Sequence, residues 1–324
     1  MMKKKIYLGI DTSNYMTSIC FISEEREVVY ENRQLLIVEQ GSRGLQQSQA
    51  VFQHIKNLPE LFKKVKGIDL FQLEAVAVSK APRSTEDSYM PVFLPGIAVA
   101  ESLAATMSVP LYYTSHQEGH IAAGIYSLIE RPKSQEFLAV HISGGTSELL
   151  LINFSEGTIS IQRIGGTLDL HAGQLVDRIG VLLGLPFPAG SFLEQLAKKS
   201  ADNFLRIPSS VKGYSFNLSG AESAAKRRLA GDENKENIAR AIEHLLATSI
   251  SKALKNALDD NFPKEILLVG GVAQNLYIQQ QLQKKLATSK VGGKLFFAKR
   301  EYSGDNAFGV ANIALDQAQA RNLI

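Results

Sequence analysis

Several groups of residues have types and spacings suited to chemistry. In His116-Gln117-Glu118-Gly119-His120, a helical backbone would set two imidazoles four residues apart on one face. That spacing suits capture of a single transition-metal ion. Glu118 falls on another face. Gln117 stands where a zinc-protease signature has its glutamate, which makes peptide hydrolysis a poor reading. A third ligand must come from elsewhere. Asp305, in Ser303-Gly304-Asp305-Asn306-Ala307, is a candidate. The blander alternative is that Asp305 caps the last helix and the histidines bond locally.

Two small-polar loops follow strands: Asp11-Thr12-Ser13 and Ser143-Gly144-Gly145-Thr146-Ser147. In α/β folds ligands collect beyond strand ends. Small residues there let backbone amides approach phosphate oxygens, and hydroxyls add donors; a pair of tight hairpin turns is the alternative. Gly270-Gly271-Val272-Ala273-Gln274-Asn275 passes from a strand into a helix, where glycines let a flat ring lie on the backbone and Asn275 offers both hydrogen-bond senses. Asp169, His171 and Asp177 stand near one another, ahead of the stiff turn Gly184-Leu185-Pro186-Phe187-Pro188-Ala189-Gly190. The two carboxylates are either ligands for hydroxyl groups or ordinary surface acids. Lys226-Arg227-Arg228, with Lys198, Lys199, Arg206 and Lys212, could meet RNA phosphates or simply form a solvated face. His54, His141, His171 and His244 are scattered, and His244 is read as structural.

The elements that must position these groups follow from pattern. Lys5–Ile10, Ser18–Ile22 and Glu27–Tyr30 read as strands, as do Ala75–Val78 and Pro110–Tyr113. Helical spacing covers about Gln49 to Lys64, with Pro59 expected to kink or break it, then Ile97–Thr106 and about His116–Ile129. The opening recurs about 132 residues on: Glu136–Ile142, Glu148–Ile152 and Thr158–Arg163 again give strand, loop, strand, strand. A repeat of that length is a duplicated domain. Further helices are expected at about Gly173–Leu183, Ser191–Lys199, Ser219–Leu229 and Lys235–Leu258. The third of these opens Ser219-Gly220-Ala221-Glu222, the pattern of a capping box. Strands alternating with helices give an α/β class.

At 324 residues the chain is long enough for two domains of ordinary size. It is 45% hydrophobic and 21% charged, which excludes long disorder. A net charge of +3 neither implies nor excludes nucleic-acid binding. No apolar run reaches the roughly 18 residues of a membrane span, and the basic start Met1-Met2-Lys3-Lys4-Lys5 leads into too short an apolar run for a secretion signal. A single cysteine, Cys20, allows neither an internal disulfide nor a CxxC zinc site, so a cytoplasmic location is expected.

Taken in order, these pieces resemble the ASKHA superfamily, whose fold is shared by sugar kinases and actin. More narrowly they resemble the TsaD family, which completes threonylcarbamoyladenosine in tRNA. The resemblance covers nearly the whole chain. It rests on Leu8-Gly9-Ile10-Asp11-Thr12-Ser13, His116 to His120, Ile142-Ser143-Gly144-Gly145, Gly184 to Gly190, Tyr214-Ser215-Phe216-Asn217-Leu218-Ser219-Gly220, Gly270 to Asn275 and Asp305-Asn306-Ala307. It implies an ASKHA (actin-like ATPase, ribonuclease H-like) fold with two duplicated lobes around a nucleotide cleft. The lobes would be 1–133, with a terminal helix at about 305–324 packed back on it, and 134–304 with a helical insertion.

By resemblance, His116, His120 and Asp305 hold one divalent metal, iron or zinc, meeting across the groove between the lobes. His141, Ile142, Ser143, Gly144 and Gly145 hold the phosphate or carbamoyl part of an adenylate. Asp177, Gly190 and Asn275 contact its sugar, base or threonyl part, and Asp11 and Ser13 are the catalytic candidates of the first loop. Implied ligands are an adenine nucleotide or threonylcarbamoyl-adenylate. Implied partners are ANN-decoding tRNA, a smaller ASKHA paralogue and a small ATPase, with no membrane.

The family's first loop reads Glu-Thr-Ser-Cys-Asp-Glu-Thr; here it is Asp11-Thr12-Ser13-Asn14-Tyr15-Met16-Thr17. Its Ser-Gly-Gly-His-Thr loop ends in Thr146-Ser147 here, its Gly-Pro-Gly-Leu stretch is Lys80-Ala81-Pro82-Arg83-Ser84, and its Asp-Asp-Ala-Ala-Gly-Glu run is Asp169-Leu170-His171-Ala172-Gly173-Gln174. Three functions stay open on sequence: a TsaD-like acyltransferase, a non-catalytic nucleotide-binding paralogue that regulates one, and an ASKHA ATPase or phosphotransferase on another substrate. Retained histidines favour the first over the third, because kinases of this fold hold Mg²⁺ through carboxylates.

Overall fold

A computed structural model describes residues 5–13, 15–38, 45–155, 157–200, 204, 206–288 and 292–321. The basic start at 1–4, Asn14 of the first loop and 322–324 of the expected last helix lie outside the described residues. The chain divides into two compact units. One comprises Met1–Ile129, Asn153–Ile161 and Gly304–Ile324; the other comprises Glu130–Ile152 and Gln162–Ser303.

The first unit opens with β1 (Ile6–Asp11), β2 (Met16–Ser23) and β3 (Val28–Leu35). These are followed by α1 (Gln47–Lys63), β4 (Leu73–Ala81), α2 (Leu94–Met107), β5 (Leu111–Ser115) and α3 (His116–Ser127). Its sheet has the order β3-β2-β1-β4-β5. β1 runs antiparallel to β2 and parallel to β4, and β4 runs parallel to β5. The carboxyl ends of β1, β4 and β5 therefore lie side by side, where open α/β sheets bind ligands. Pro59 lies inside α1 without breaking it. The carbonyl it deprives of an amide partner is that of Ile55, whose side chain faces water.

The second unit continues with β6 (Glu136–Ile142), β7 (Ser147–Ser155), β8 (Thr158–Thr167), α4 (Ala172–Leu182) and α5 (Gly190–Ala197). Next come β9 (Ser210–Lys212), β10 (Ser215–Asn217), α6 (Ser219–Ala230) and α7 (Lys235–Asp259). It closes with β11 (Glu265–Val269), α8 (Leu276–Ala287) and β12 (Lys294–Phe297). Its sheet has the order β12-β11-β6-β7-β8-β10-β9. Within it, β8-β7-β6-β11-β12 repeats the strand order of the first sheet. The tip between β7 and β8 belongs to the first unit, as does α9 (Phe308–Arg321). The core of the second unit gathers around α7, whose Ile238, Ile242, Leu245, Leu246 and Leu254 are all buried.

Backbone closeness fixes where α9 sits. A Cβ on Gly9 of β1 would overlap the backbone of Ala307 and Ala311, and one on Gly309 would overlap the Gly119 carbonyl and crowd the Ala123 amide of α3. Only hydrogen at these positions lets α9 lie against both β1 and α3. Arg26 then pins the helix. It donates to Asn312 Oδ1 at 3.0 Å and Asp316 Oδ1 at 2.6 Å, and it stacks on Tyr126, whose hydroxyl donates to Asp316 Oδ2 at 2.7 Å. Gly309→Val should force α3 and α9 apart and destabilise the fold by about 3 kcal/mol or more, because backbone cannot relax around the added methyls. Urea unfolding checks this; a midpoint like that of the wild type would contradict it.

The expected capping box at Ser219 does not form. The N-cap of α6 is Leu218, with no side-chain cap of its own. Asp169 serves the helix start instead, accepting the Leu218 amide at 2.8 Å, the Ser219 amide at 3.2 Å and the Ser219 hydroxyl at 2.6 Å. Glu222 is drawn off to Lys226 and Arg178. Among the described residues, no helix is long and apolar enough to cross a membrane.

Candidate functional site

β5 delivers His116 directly into α3. Ser115 caps the helix by accepting the Glu118 amide, and the Glu118 carboxylate accepts the Ser115 amide in return. Glu118 is thereby taken up by the backbone, and the two imidazoles share the other face. Their Nε2 atoms stand 3.1 Å apart. Asp305 Oδ1 lies 3.4 Å from His116 Nε2 and 3.3 Å from His120 Nε2. Asp305 does not cap the last helix; Asn306 accepts the Phe308 amide at its start. Nor does the triad form between lobes. Asp305 belongs to the same unit as the histidines, because α9 packs on α3 and carries its leading loop to them.

An ion held at about 2.1 Å by three such ligands at tetrahedral or octahedral angles needs ligand atoms about 3.0–3.4 Å apart. The three separations fall in that range, so the residues fit one divalent ion.

Asp11, at the end of β1, stands behind His116. Its Oδ2 lies 2.9 Å from His116 Nδ1 and accepts the Ser79 hydroxyl of β4 at 2.9 Å, while Oδ1 accepts the Ser13 amide at 2.6 Å. Asp11 is almost wholly buried (1% exposed), so it is placed to act through His116. Burial alone would lower the His116 pKa. The charge and hydrogen bond of Asp11, helped by Asp305, outweigh it and raise the imidazole to about 10. Burial would raise Asp305, but hydrogen bonds from both imidazoles hold it well below the usual carboxylate range. Asp11 is lowered in the same way: burial opposes the shift, and His116 overcomes it. The pattern is that of a metal-ligating histidine whose second nitrogen is oriented by a carboxylate. Ser13 Oγ is buried with no hydrogen-bond partner among the described residues.

The second unit gathers the other predicted residues. His141 and Ile142 are buried at the end of β6. Ser143 donates its amide to Thr146, and its carbonyl accepts the Gly173 amide, which ties the loop to the start of α4. A Cβ at Gly144 or Gly145 would meet nothing within 4 Å, so the outer side of this loop is open. Gly270 has a φ of +98° and would, with a Cβ, overlap the Ile142 carbonyl; it therefore lets the β11 turn lie across the end of β6. Gly190 opens α5. Asp177 Oδ1 accepts the Ala189 amide at 2.8 Å, and burial raises its pKa. Asn275 caps α8 through the Ile278 amide and donates to Glu243 Oε1 at 2.6 Å. His171 is the N-cap of α4. Asp169, sited between β8 and α4, is drawn down to about 2: burial opposes the shift, and the bonds from Leu218, Ser219 and Leu170 prevail.

Two residues escaped the sequence analysis. Ser79 lies in an apolar strand, and nothing in its surroundings signals Asp11. Glu243 sits on the buried face of α7, where its own apolar neighbours were the available signal. Burial pushes its carboxyl up to about 7 against the opposing effects of Asn275 and Arg240.

The strand order used twice, with matching loops at the carboxyl ends of β1 and β6, defines the class: this is an ASKHA fold. Solved structures agree. HypF from T. kodakarensis superposes with a TM-score of 0.61 at 15% identity, over 99% of this chain and 48% of that one. A ROK family glucokinase from Streptomyces griseus superposes with a TM-score of 0.54 at 11% identity, over 95% of this chain and 99% of that one. Within that class, the TsaD profile, described as tRNA N6-adenosine threonylcarbamoyltransferase, matches residues 30–312, and the chain belongs to that family. A relative of that name from Neorickettsia sennetsu is 28% identical over 98% of this chain and 95% of its own length.

Proposed function

We propose that this protein moves a threonylcarbamoyl group from threonylcarbamoyl-adenylate to the N-6 amine of adenosine 37 in ANN-decoding tRNA. The observation that carries the reading is the spacing of the His116, His120 and Asp305 ligand atoms in a chain of this family. The amine nitrogen bonds to the carbamoyl carbon, the bond from that carbon to the phosphate oxygen breaks, and AMP departs with the electron pair while the amine proton passes to solvent. A bound iron or zinc ion supplies Lewis acidity to the carbonyl under attack. His116, His120 and Asp305 hold it, and Asp11 fixes the His116 ring.

In this reading the chain from His141 to Gly145 offers backbone amides, on the open side at Gly144 and Gly145, to phosphate and to the developing oxyanion. Asp177, Gly190 and Asn275 take the sugar, base or threonyl part. Asp177 keeps Oδ1 on Ala189 and offers Oδ2. The reading includes a smaller ASKHA paralogue and a small ATPase as working partners, in the cytoplasm.

The test is incubation with threonylcarbamoyl-adenylate and tRNA, followed by nucleoside analysis. Threonylcarbamoyladenosine is the expected product. Its absence from metal-loaded, adenylate-binding protein supplied with those partners would sink the proposal.

A further inference from the structure

The basic residues between 198 and 228 do not form one patch. Lys226 and Arg178 both bind Glu222, at 2.7 and 3.0 Å, and Arg228 donates to the Arg206 carbonyl at 2.9 Å. Lys198 and Arg206 instead join Arg240 of α7 and Lys284 of α8 around an open cavity of about 420 Å³ in the second unit, with Tyr277 and His244 also in its wall. Among the described residues, two carboxylates pair with these cations, and both are engaged. Glu243 binds Arg240 at 2.6 Å from a buried position, and Glu194 lies 3.9 Å from Lys198. Among the described residues, Arg206 and Lys284 have no carboxylate partner, and both are exposed.

Positive charge continues beyond the rim. Lys285 is lowered by burial and then by Arg206, Lys255, Lys252 and Lys284. His244 is held down to about 4 by burial and then by Lys285, Arg206 and Arg240. Packing gives no reason to crowd cations around a concavity, since like charges repel one another there. The arginine and lysine side chains are donors only, so the complementary ligand is rich in anionic acceptor oxygens. The cations spread over two helices, the turn that ends α5 and a loop, which is wider than one phosphate ion. Beside them, Tyr277 carries Arg240 on its ring, 4.0 Å from the centroid.

We propose that this cavity binds phosphodiester groups of the tRNA backbone. It is a positioning surface that reads no bases and is separate from the residues assigned to the adenylate. The inference rests on the transferase reading and assigns part of its RNA footprint.

The test compares the full-length wild type with Arg206→Gln/Lys284→Gln in tRNA binding over a salt series. Two lost phosphate contacts should weaken binding about tenfold near 0.1 M salt and flatten the plot of log affinity against log salt by roughly 1–2. Arg206→Lys/Lys284→Arg should keep both, and metal content should be the same in all three proteins. Wild-type affinity and slope in the Gln variant would overturn the inference while leaving the transferase reading intact. Loss of inorganic phosphate binding with tRNA binding unchanged would also overturn it, by marking a small-anion site. A wild-type protein that binds no tRNA at all would remove the transferase reading, and this inference with it.

Discussion

His120→Ala is expected to lower metal affinity more than about 100-fold. Changing an outer-shell partner of a metal ligand costs about 10- to 100-fold, and here a ligand itself is lost. The remaining pair, His116 Nε2 and Asp305 Oδ1 at 3.4 Å, offers an ion two contacts where three stood. His120 is the cleaner choice for this test, because removing His116 would also strand the buried Asp11 carboxylate without its partner. Chelator competition measures the affinity, and the melting of metal-free protein shows whether the fold is kept. Transfer should fall with the metal. A variant that holds its ion as tightly as the wild type would show that His120 is not a ligand.

Asp11→Asn should lower metal affinity about 10- to 100-fold, with a change in pH dependence that a merely structural residue would not produce. A metal ion must displace the proton from His116 Nε2, so affinity in the wild type rises with pH toward the imidazole's value of about 10. The amide keeps the shape of the carboxylate but not its charge, so the proton leaves more easily. The rise should move down by roughly one unit or more. The sign for folding follows from the same shift. His116 in metal-free native protein binds its proton more tightly than in the unfolded chain, where its value is 6.5. This contribution to stability is therefore full below about 6.5 and is lost as pH rises through about 10. Asp11→Asn should flatten that dependence. An unchanged metal-binding pH profile would contradict the orienting role of Asp11.

Much of this arrangement is legible in residue order. The repeated strand, loop, strand, strand pattern foretells two sheets of like order, because alternation and turn residues are local signals. The His116–His120 pair is legible for the same reason: a spacing of four on a helix is a geometric statement. Asp305 is not legible from spacing. It reaches the histidines because Gly9, Gly119 and Gly309 let α9 settle on β1 and α3, and a glycine does not announce which backbone it will meet. The capping pattern at Ser219 misleads because Asp169, far away in sequence, competes for the same amides. Asp11 reads as a loop acid, and its role depends on β1 and β5 both flanking β4, a fact of topology. The basic residues from 198 to 228 look like one surface until Glu222 takes Lys226 and the cavity takes Lys198 and Arg206.

The most direct test of the account is the coordination of the metal bound to the purified full-length chain, measured by elemental analysis together with X-ray absorption. The account predicts about one iron or zinc per chain, with two imidazole nitrogens and a carboxylate oxygen at about 2.0–2.2 Å, and loss of that ion in His116→Ala/His120→Ala/Asp305→Ala. Full metal occupancy in the triple variant, or a wild-type ion without imidazole ligands, would contradict it.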